Sequence, residues 1–215
     1  MGRFKTTLER CRQAVGSATA KSLTFALSIC AYCNNSGTQP YDDAWARLHT
    51  FLRVHWPEIR RRRRFDLSKP FPGKTKAEAL RVHLFFVKLF GCKVLEDGIA
   101  IDLEPFAKAL TECQPHPEVA ILIADSTDRA QLALAYDSDV YLIRNQAEVL
   151  HGAAWIYKIH PIAIKVAYIK AGAPLRVPAY RCHPNAPGKI VKLSPYRGAT
   201  EPVAGRGALI PMTAS

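Results

Sequence analysis

Five consecutive arginines, Arg60 to Arg64, constrain this chain more than any other segment. On a helix they point in every direction, so no single face can bury them, and the run must be solvated or set against acid groups. It marks a joint, and the segments on either side must build the core. Before it, residues Asp42 to Trp56 (DDAWARLHTFLRVHW) predict a helix, with acids in the first turn and Trp45, Leu48, Leu52 and Trp56 at helical spacing. Pro57 is its expected stop. After the run, a Pro-rich stretch (KPFPGK) leads into residues 75 to 90 (TKAEALRVHLFFVKLF), a second helix. Thr75 is its expected cap with Glu78 three residues on, Leu80, Leu84, Val87 and Phe90 form its apolar stripe, and Gly91 is its stop.

Beyond Gly91 the pattern changes. Residues 92 to 102 read as a β-hairpin, with CKVL and IAID flanking a turn that contains Asp97-Gly98. Leu103 to Cys113 suits a short helix ending near Pro115. Val119 to Ala124 (VAILIA) and Val140 to Arg144 (VYLIR) are continuous apolar runs of strand length, and Asp125 or Ser126 caps an expected helix through Tyr136 between them. Strand, helix, strand in so short a span predicts a crossover unit with at least one parallel pair. Residues 146 to 171 read as helix, broken near His160 and restarted by Pro161, with Gly172 as the stop; Leu175 to Arg181 reads as an edge strand. From Cys182 onward no periodic apolar pattern remains, and Pro, Gly and bases dominate.

These readings give an α/β fold, with α+β as the looser possibility: N-terminal helices, a small mixed or parallel sheet with a hairpin, and an extended basic Pro/Gly-rich C-terminal tail. The expected divisions are a basic helical segment over 1–41, a globular domain over 42–181 and the tail over 182–215. With 48% hydrophobic residues in 215, the chain can bury a core. No run approaches the roughly 18 apolar residues that a membrane-spanning helix needs.

The charges are sorted along the chain. Residues 1–41 hold 5 Lys/Arg against 1 Asp/Glu, 42–95 hold 13 against 5, 96–148 hold 3 against 11, and 149–215 hold 9 against 1. Basic blocks around an acidic centre suit surfaces meant for a polyanion. The expected function is therefore that of a non-enzymatic nucleic-acid-binding protein, RNA before DNA. Such a chain is a structural component of a large ribonucleoprotein, of which a mitochondrial ribosome is the example this composition suits. The acidic middle would face solvent or a basic protein neighbour. Arg60, Arg61, Arg62, Arg63, Arg64, Lys69, Lys74, Lys189, Lys192, Arg197 and Arg206 are the expected phosphate contacts, since guanidinium holds phosphate bidentately. Trp56 and Phe65 flank the arginines, with base stacking and core packing as their two possible roles.

The first 41 residues, rich in Arg, Ser and Thr and nearly free of acids, resemble a mitochondrial transit segment in composition, with an ordinary first helix or a secretory signal as rivals. A mitochondrial matrix location follows from the first reading and a cytoplasmic one from the second. The six cysteines are scattered, which favours reduced thiols over a disulfide framework.

Enzyme chemistry is the alternative. Carboxylates at strand ends can hold Mg²⁺ for phosphodiester hydrolysis, so a metal-dependent nuclease, or a nucleotide-binding accessory protein acting on DNA, would use Asp125 and Asp128. Asp137 and Asp139 read instead as a turn. Gly73-Lys74-Thr75 precedes a helix, but Ser68 stands where a phosphate-binding loop needs its earlier glycine, and Pro70 and Pro72 remove donors. Cys30-x-x-Cys33 lacks a second matched pair, with Cys182-His183 distant in sequence, and His151, His160 and His183 form no nucleophile motif. The sequence thus marks no cofactor, no metal site and no small-molecule substrate. A protein–protein assembly module whose basic blocks meet acidic partners is the remaining alternative.

Overall fold

A computed structural model describes residues 37–126, 135–175, 182–185 and 188–194. The architecture is α+β, with three helices, a five-stranded antiparallel sheet and a two-stranded antiparallel ribbon among the described residues.

Helix α1 (Gln39–Arg62) starts close to the expected position and does not stop at Pro57. Proline removes one ladder hydrogen bond. Continuing the helix, however, places Ile59 on the stripe already made by Trp45, Leu48, Leu52 and Trp56, all buried. The last turn carries Arg60, Arg61 and Arg62, where cations complement the carbonyl end of the helix, and Arg63 closes it at φ +55°. The arginine joint is thus a helix terminus.

Strand β1 (Arg64–Asp66) leads to helix α2 (Thr75–Glu96), with Lys74 and not Thr75 at the cap position; the Thr75 hydroxyl donates to the Phe71 carbonyl at 2.9 Å. This helix passes straight through Gly91. A Cβ there would lie 3.4 Å from the Phe106 ring, so the glycine lets the next helix approach closely, and the extra turn buries Cys92 and Val94. The expected hairpin over 92–102 is therefore absent. Its Asp97-Gly98 pair ends the helix instead: Gly98 sits at φ +64°, and the Asp97 and Gly98 amides donate to Lys93 and Leu95 carbonyls. The left-handed residue that a hairpin turn needs is the same one that a helix stop needs. Helix α3 (Glu104–Thr111) forms as expected.

Buried charges tie α1 to α2. Lys88 Nζ lies 2.8 Å from Asp42 Oδ1 and 3.1 Å from Thr38 Oγ1, and buried Glu78 receives both Arg47 and Arg81.

The main sheet contains β2 (Val119–Asp125), β3 (Ala135–Asp137), β4 (Tyr141–Arg144), β5 (Leu150–Ile159) and β6 (Ile162–Ile169). Its order is β2-β6-β5, with β3 and β4 sharing the outer edge of β5, and every pair is antiparallel. Ser138 bridges the gap between β3 and β4, donating its amide to the Ile156 carbonyl and accepting the Ile156 amide on Oγ.

Two expectations fail here for one reason. No parallel pair joins β2 to β4, and 146–171 is largely the β5–β6 hairpin with His160-Pro161 at its turn, not a helix. Both faces of the sheet are buried. Ala153, Trp155, Ile164, Val166 and Ile121 face the helices, while Ala154, Ile156, Ala163, Ala167 and Leu122 occupy the other face and are buried too. Strands apolar on both sides lose their alternation, and continuous apolar runs arise without parallel pairing. Gly152 permits the tightest approach, since a Cβ there would meet the Tyr168 carbonyl oxygen at 2.6 Å.

Most of the helix expected through Tyr136 lies outside the described residues, and its last two positions, Ala135 and Tyr136, belong to β3. Of the edge strand expected over 175–181, residues 176–181 lie outside them as well. The tail is not uniformly apart from the core. Strand β7 (Ile190–Lys192) pairs with β1, and Cys182, Val191 and Leu193 are buried.

Candidate nucleic-acid interface

The β1–β7 ribbon brings together two basic segments from distant parts of the sequence. Its register sets Arg64 opposite Lys192, Phe65 opposite Val191 and Asp66 opposite Ile190. Successive strand residues alternate faces, so Phe65 and Val191 point into the core while Arg64 and Lys192 stand side by side in solvent. Lys189 and Lys69 are also exposed and flank Asp66. The Ser68 amide, 2.8 Å from Asp66 Oδ1, holds that carboxyl below its ordinary range, followed by the Ser68 side chain and then by the fields of Lys189 and Lys69. Lys74 is exposed at the start of α2.

The five arginines divide by role. Arg60 Nε lies 2.7 Å from Asp125 Oδ2, and Arg63 Nη1 lies 4.0 Å from the same oxygen. Arg63 Nη2 also donates to the Ser194 carbonyl at 3.2 Å. Backbone bonds from Leu193 to Arg63 and from Ser194 to Ile123 complete a junction where α1, β2 and the C-terminal segment meet. Arg62 pairs with Glu58 within the helix. Arg61 and Arg64 make no ion pair and no side-chain hydrogen bond among the described residues, and both are exposed. Arg61, Arg64, Lys189 and Lys192 therefore present charge outward, whereas Arg60 and Arg63 hold the surface together.

Asp125, the proposed metal ligand of the nuclease alternative, is 8% exposed and turned onto these two arginines. Among the described residues no group of three or more His, Cys, Asp or Glu side chains could hold a metal ion. Asp128, Arg197, Arg206, Cys30 and Cys33 lie outside the described residues. Cys92, Cys113 and Cys182 are free thiols. Burial pushes the Cys182 thiol up to about 12, so it is a packed apolar group and not a nucleophile. Trp56 and Phe65 are both 6% exposed, so of their two possible roles the structure gives core packing. The large apolar side chains exposed among the described residues are Val54, Leu95, Val149 and Ile190, none of them aromatic.

A second polar cluster was missed by the sequence reading. His83 on α2, His116 ahead of β2 and His183 after Cys182 meet in the interior. The His116 amide donates to His83 Nε2 at 3.1 Å, the Glu118 amide to His116 Nδ1 at 3.2 Å, and the Asn185 amide to His183 Nδ1 at 3.2 Å. The rings of His83 and His183 pack edge to face at 4.9 Å, and Phe106 lies 4.3 Å from His116. A ring nitrogen that accepts an amide N–H is unprotonated, so Nε2 of His83 and Nδ1 of His116 act as acceptors in this arrangement. Burial, together with the fields of His183 and His116, holds His83 down at about 3, and burial lowers His116 as well. Of these residues the sequence marked only His183, and nothing in their spacing predicts the meeting.

No protein-family model, no curated protein and no solved structure matches this chain.

Proposed function

We propose that the chain binds nucleic acid, RNA before DNA, through the outward face of the β1–β7 ribbon and the adjoining end of α1. The observation that carries this reading is the Arg64–Lys192 pair. Like charges directly opposite on neighbouring strands repel, and an anion laid across them removes that cost. Arg61 and Lys189 extend the same surface. With no Phe, Tyr or Trp ring exposed among the described residues to stack on bases, the surface suits phosphates and helix shape, which is how double-helical RNA is recognised. In this reading the protein is a non-enzymatic structural component of a large ribonucleoprotein. The acid-poor, Arg-rich first 41 residues suit a mitochondrial setting.

The test is the affinity of the full chain for an RNA duplex and a DNA duplex of equal length across a salt series. About four phosphate contacts give a slope of log K against log salt of roughly −3 to −4, from about −0.9 per neutralised phosphate on a duplex. Tighter DNA binding would redirect the reading to DNA. Affinity that does not change with salt would end it.

A further inference from the structure

We propose that Arg47 and Arg81, held on buried Glu78, form a second phosphate-binding point that takes a backbone phosphate of the same duplex RNA. The proposal rests on the RNA reading above and adds residues that neither the arginine run nor the ribbon contains.

Glu78, in the first turn of α2, is 3% exposed, and each of its carboxylate oxygens takes one arginine. Arg47 Nη2, from α1, meets Oε2, and Arg81 Nη1, three residues further along α2, lies 2.7 Å from Oε1. A buried carboxylate needs a cation beside it, and one cation balances its charge. The second arginine therefore leaves a positive charge in excess at the surface. The two arginine side chains are 52% and 41% exposed, and among the described residues neither makes a hydrogen bond or ion pair except to Glu78. Each guanidinium has five N–H donors, so most of each fork remains for an anion. The pair is also held in position before any anion arrives. Arg47 Cζ sits over the Phe71 ring, 5.7 Å from its centroid, and Phe71 is 2% exposed. Side chains already tied down lose less freedom on binding, and a planar fork matches phosphate geometry.

The pair continues the ribbon surface. Leu67, the residue after β1, donates its amide to the Lys189 carbonyl at 2.9 Å, and the Phe71 amide donates to the Leu67 carbonyl at 3.2 Å. The turn that begins at the ribbon thus ends beneath Arg47. Lys69 is exposed within this turn, and Lys74 and Lys76 are exposed where α2 begins, the end of the helix that is itself positive. The nearby acids are engaged elsewhere: Asp66 accepts the Ser68 amide, and Asp43, one turn before Arg47 on α1, accepts from Gln39 at 2.9 Å.

The experiment compares duplex RNA affinity of the full chain across a salt series in the wild type, in Arg81→Gln, and in the ribbon variant Arg64→Glu with Lys192→Glu. In Arg81→Gln, Glu78 keeps Arg47, so the buried carboxylate is not left without a cation. Affinity at low salt is expected to fall by roughly three- to tenfold, and the slope of log K against log salt to flatten by about 0.9, the value of one neutralised phosphate. An arginine that only balances Glu78 would change stability and leave that slope alone. A wild-type slope in Arg81→Gln therefore overturns the proposal, and leaves the ribbon reading standing where the ribbon variant has lost slope. A flatter slope in Arg81→Gln with none lost in the ribbon variant supports the pair and ends the ribbon reading. No duplex RNA binding by the wild type ends both. If Arg81→Gln does not fold, the Nε–H resonances of Arg47 and Arg81 in the wild type decide: they are expected to shift when duplex RNA is added, and unshifted resonances at saturation overturn the proposal.

Discussion

Arg64→Glu with Lys192→Glu is expected to lower affinity for duplex RNA by roughly 100-fold at low salt and to flatten the salt slope by about two. Both side chains are exposed and stand opposite each other, so the change removes two phosphate contacts and puts two negative charges in their place. The single change Arg64→Glu separates binding from folding more sharply. It sets an acid opposite Lys192, so thermal stability should hold or rise by a few tenths of a kcal/mol, up to about 1, while binding falls. Affinity and melting temperature falling together would mean that the pair acts through folding. Asp125→Ala probes the junction behind the surface. Arg60 and Arg63 are 54% and 47% exposed, so they can turn to water, and the expected loss is about 1–2 kcal/mol of stability with binding retained. The nuclease alternative makes a different claim about the same residue: Mg²⁺-dependent cleavage by the wild type, abolished in Asp125→Ala.

Trp155→Ala is expected to cost about 3–5 kcal/mol, a large share of the roughly 5–15 kcal/mol that holds a domain folded. Trp155 is 1% exposed in β5, which pairs on both edges and faces the helices, with Tyr157 at 5.6 Å between ring centroids. Alanine leaves a cavity that neighbouring strands cannot close without breaking their pairing. Trp155→Phe should cost much less, because Trp155 Nε1 has no hydrogen-bond partner among the described residues and phenylalanine removes that unmet donor along with modest volume. Urea unfolding at pH 7 measures both. Equal losses for alanine and phenylalanine would place the cost in something other than the cavity.

The helices were legible because apolar residues recur at helical spacing in both, although only α1 buries a single stripe; α2 is buried all round from Val82 to Lys88. Trp45 to Trp56 and Leu80 to Phe90 show that spacing directly, while the stops and the Thr75 cap differ from expectation. Pro57 and Gly91 are breakers on local grounds, yet Ile59, Cys92 and Val94 gain burial if the helix continues. The sheet was less legible because its strands are apolar on both faces. VAILIA could be recognised as a strand but not assigned a direction, and AAWIYKI carries no alternation to set it apart from a helix. The basic residues of the surface could be read one by one, whereas the pairing of Arg64 with Lys192 depends on a strand register that neither segment encodes alone. Nor could the sequence sort the arginines, since that required Asp125 to lie beneath Arg60 and Arg63.

Crosslinking of the full chain to bound duplex RNA, followed by identification of the modified residues, tests the central claim most directly. Crosslinks should concentrate at Arg61, Arg64, Lys189 and Lys192. Crosslinks confined to the acidic 96–148 segment, with none on the β1–β7 ribbon, would contradict it.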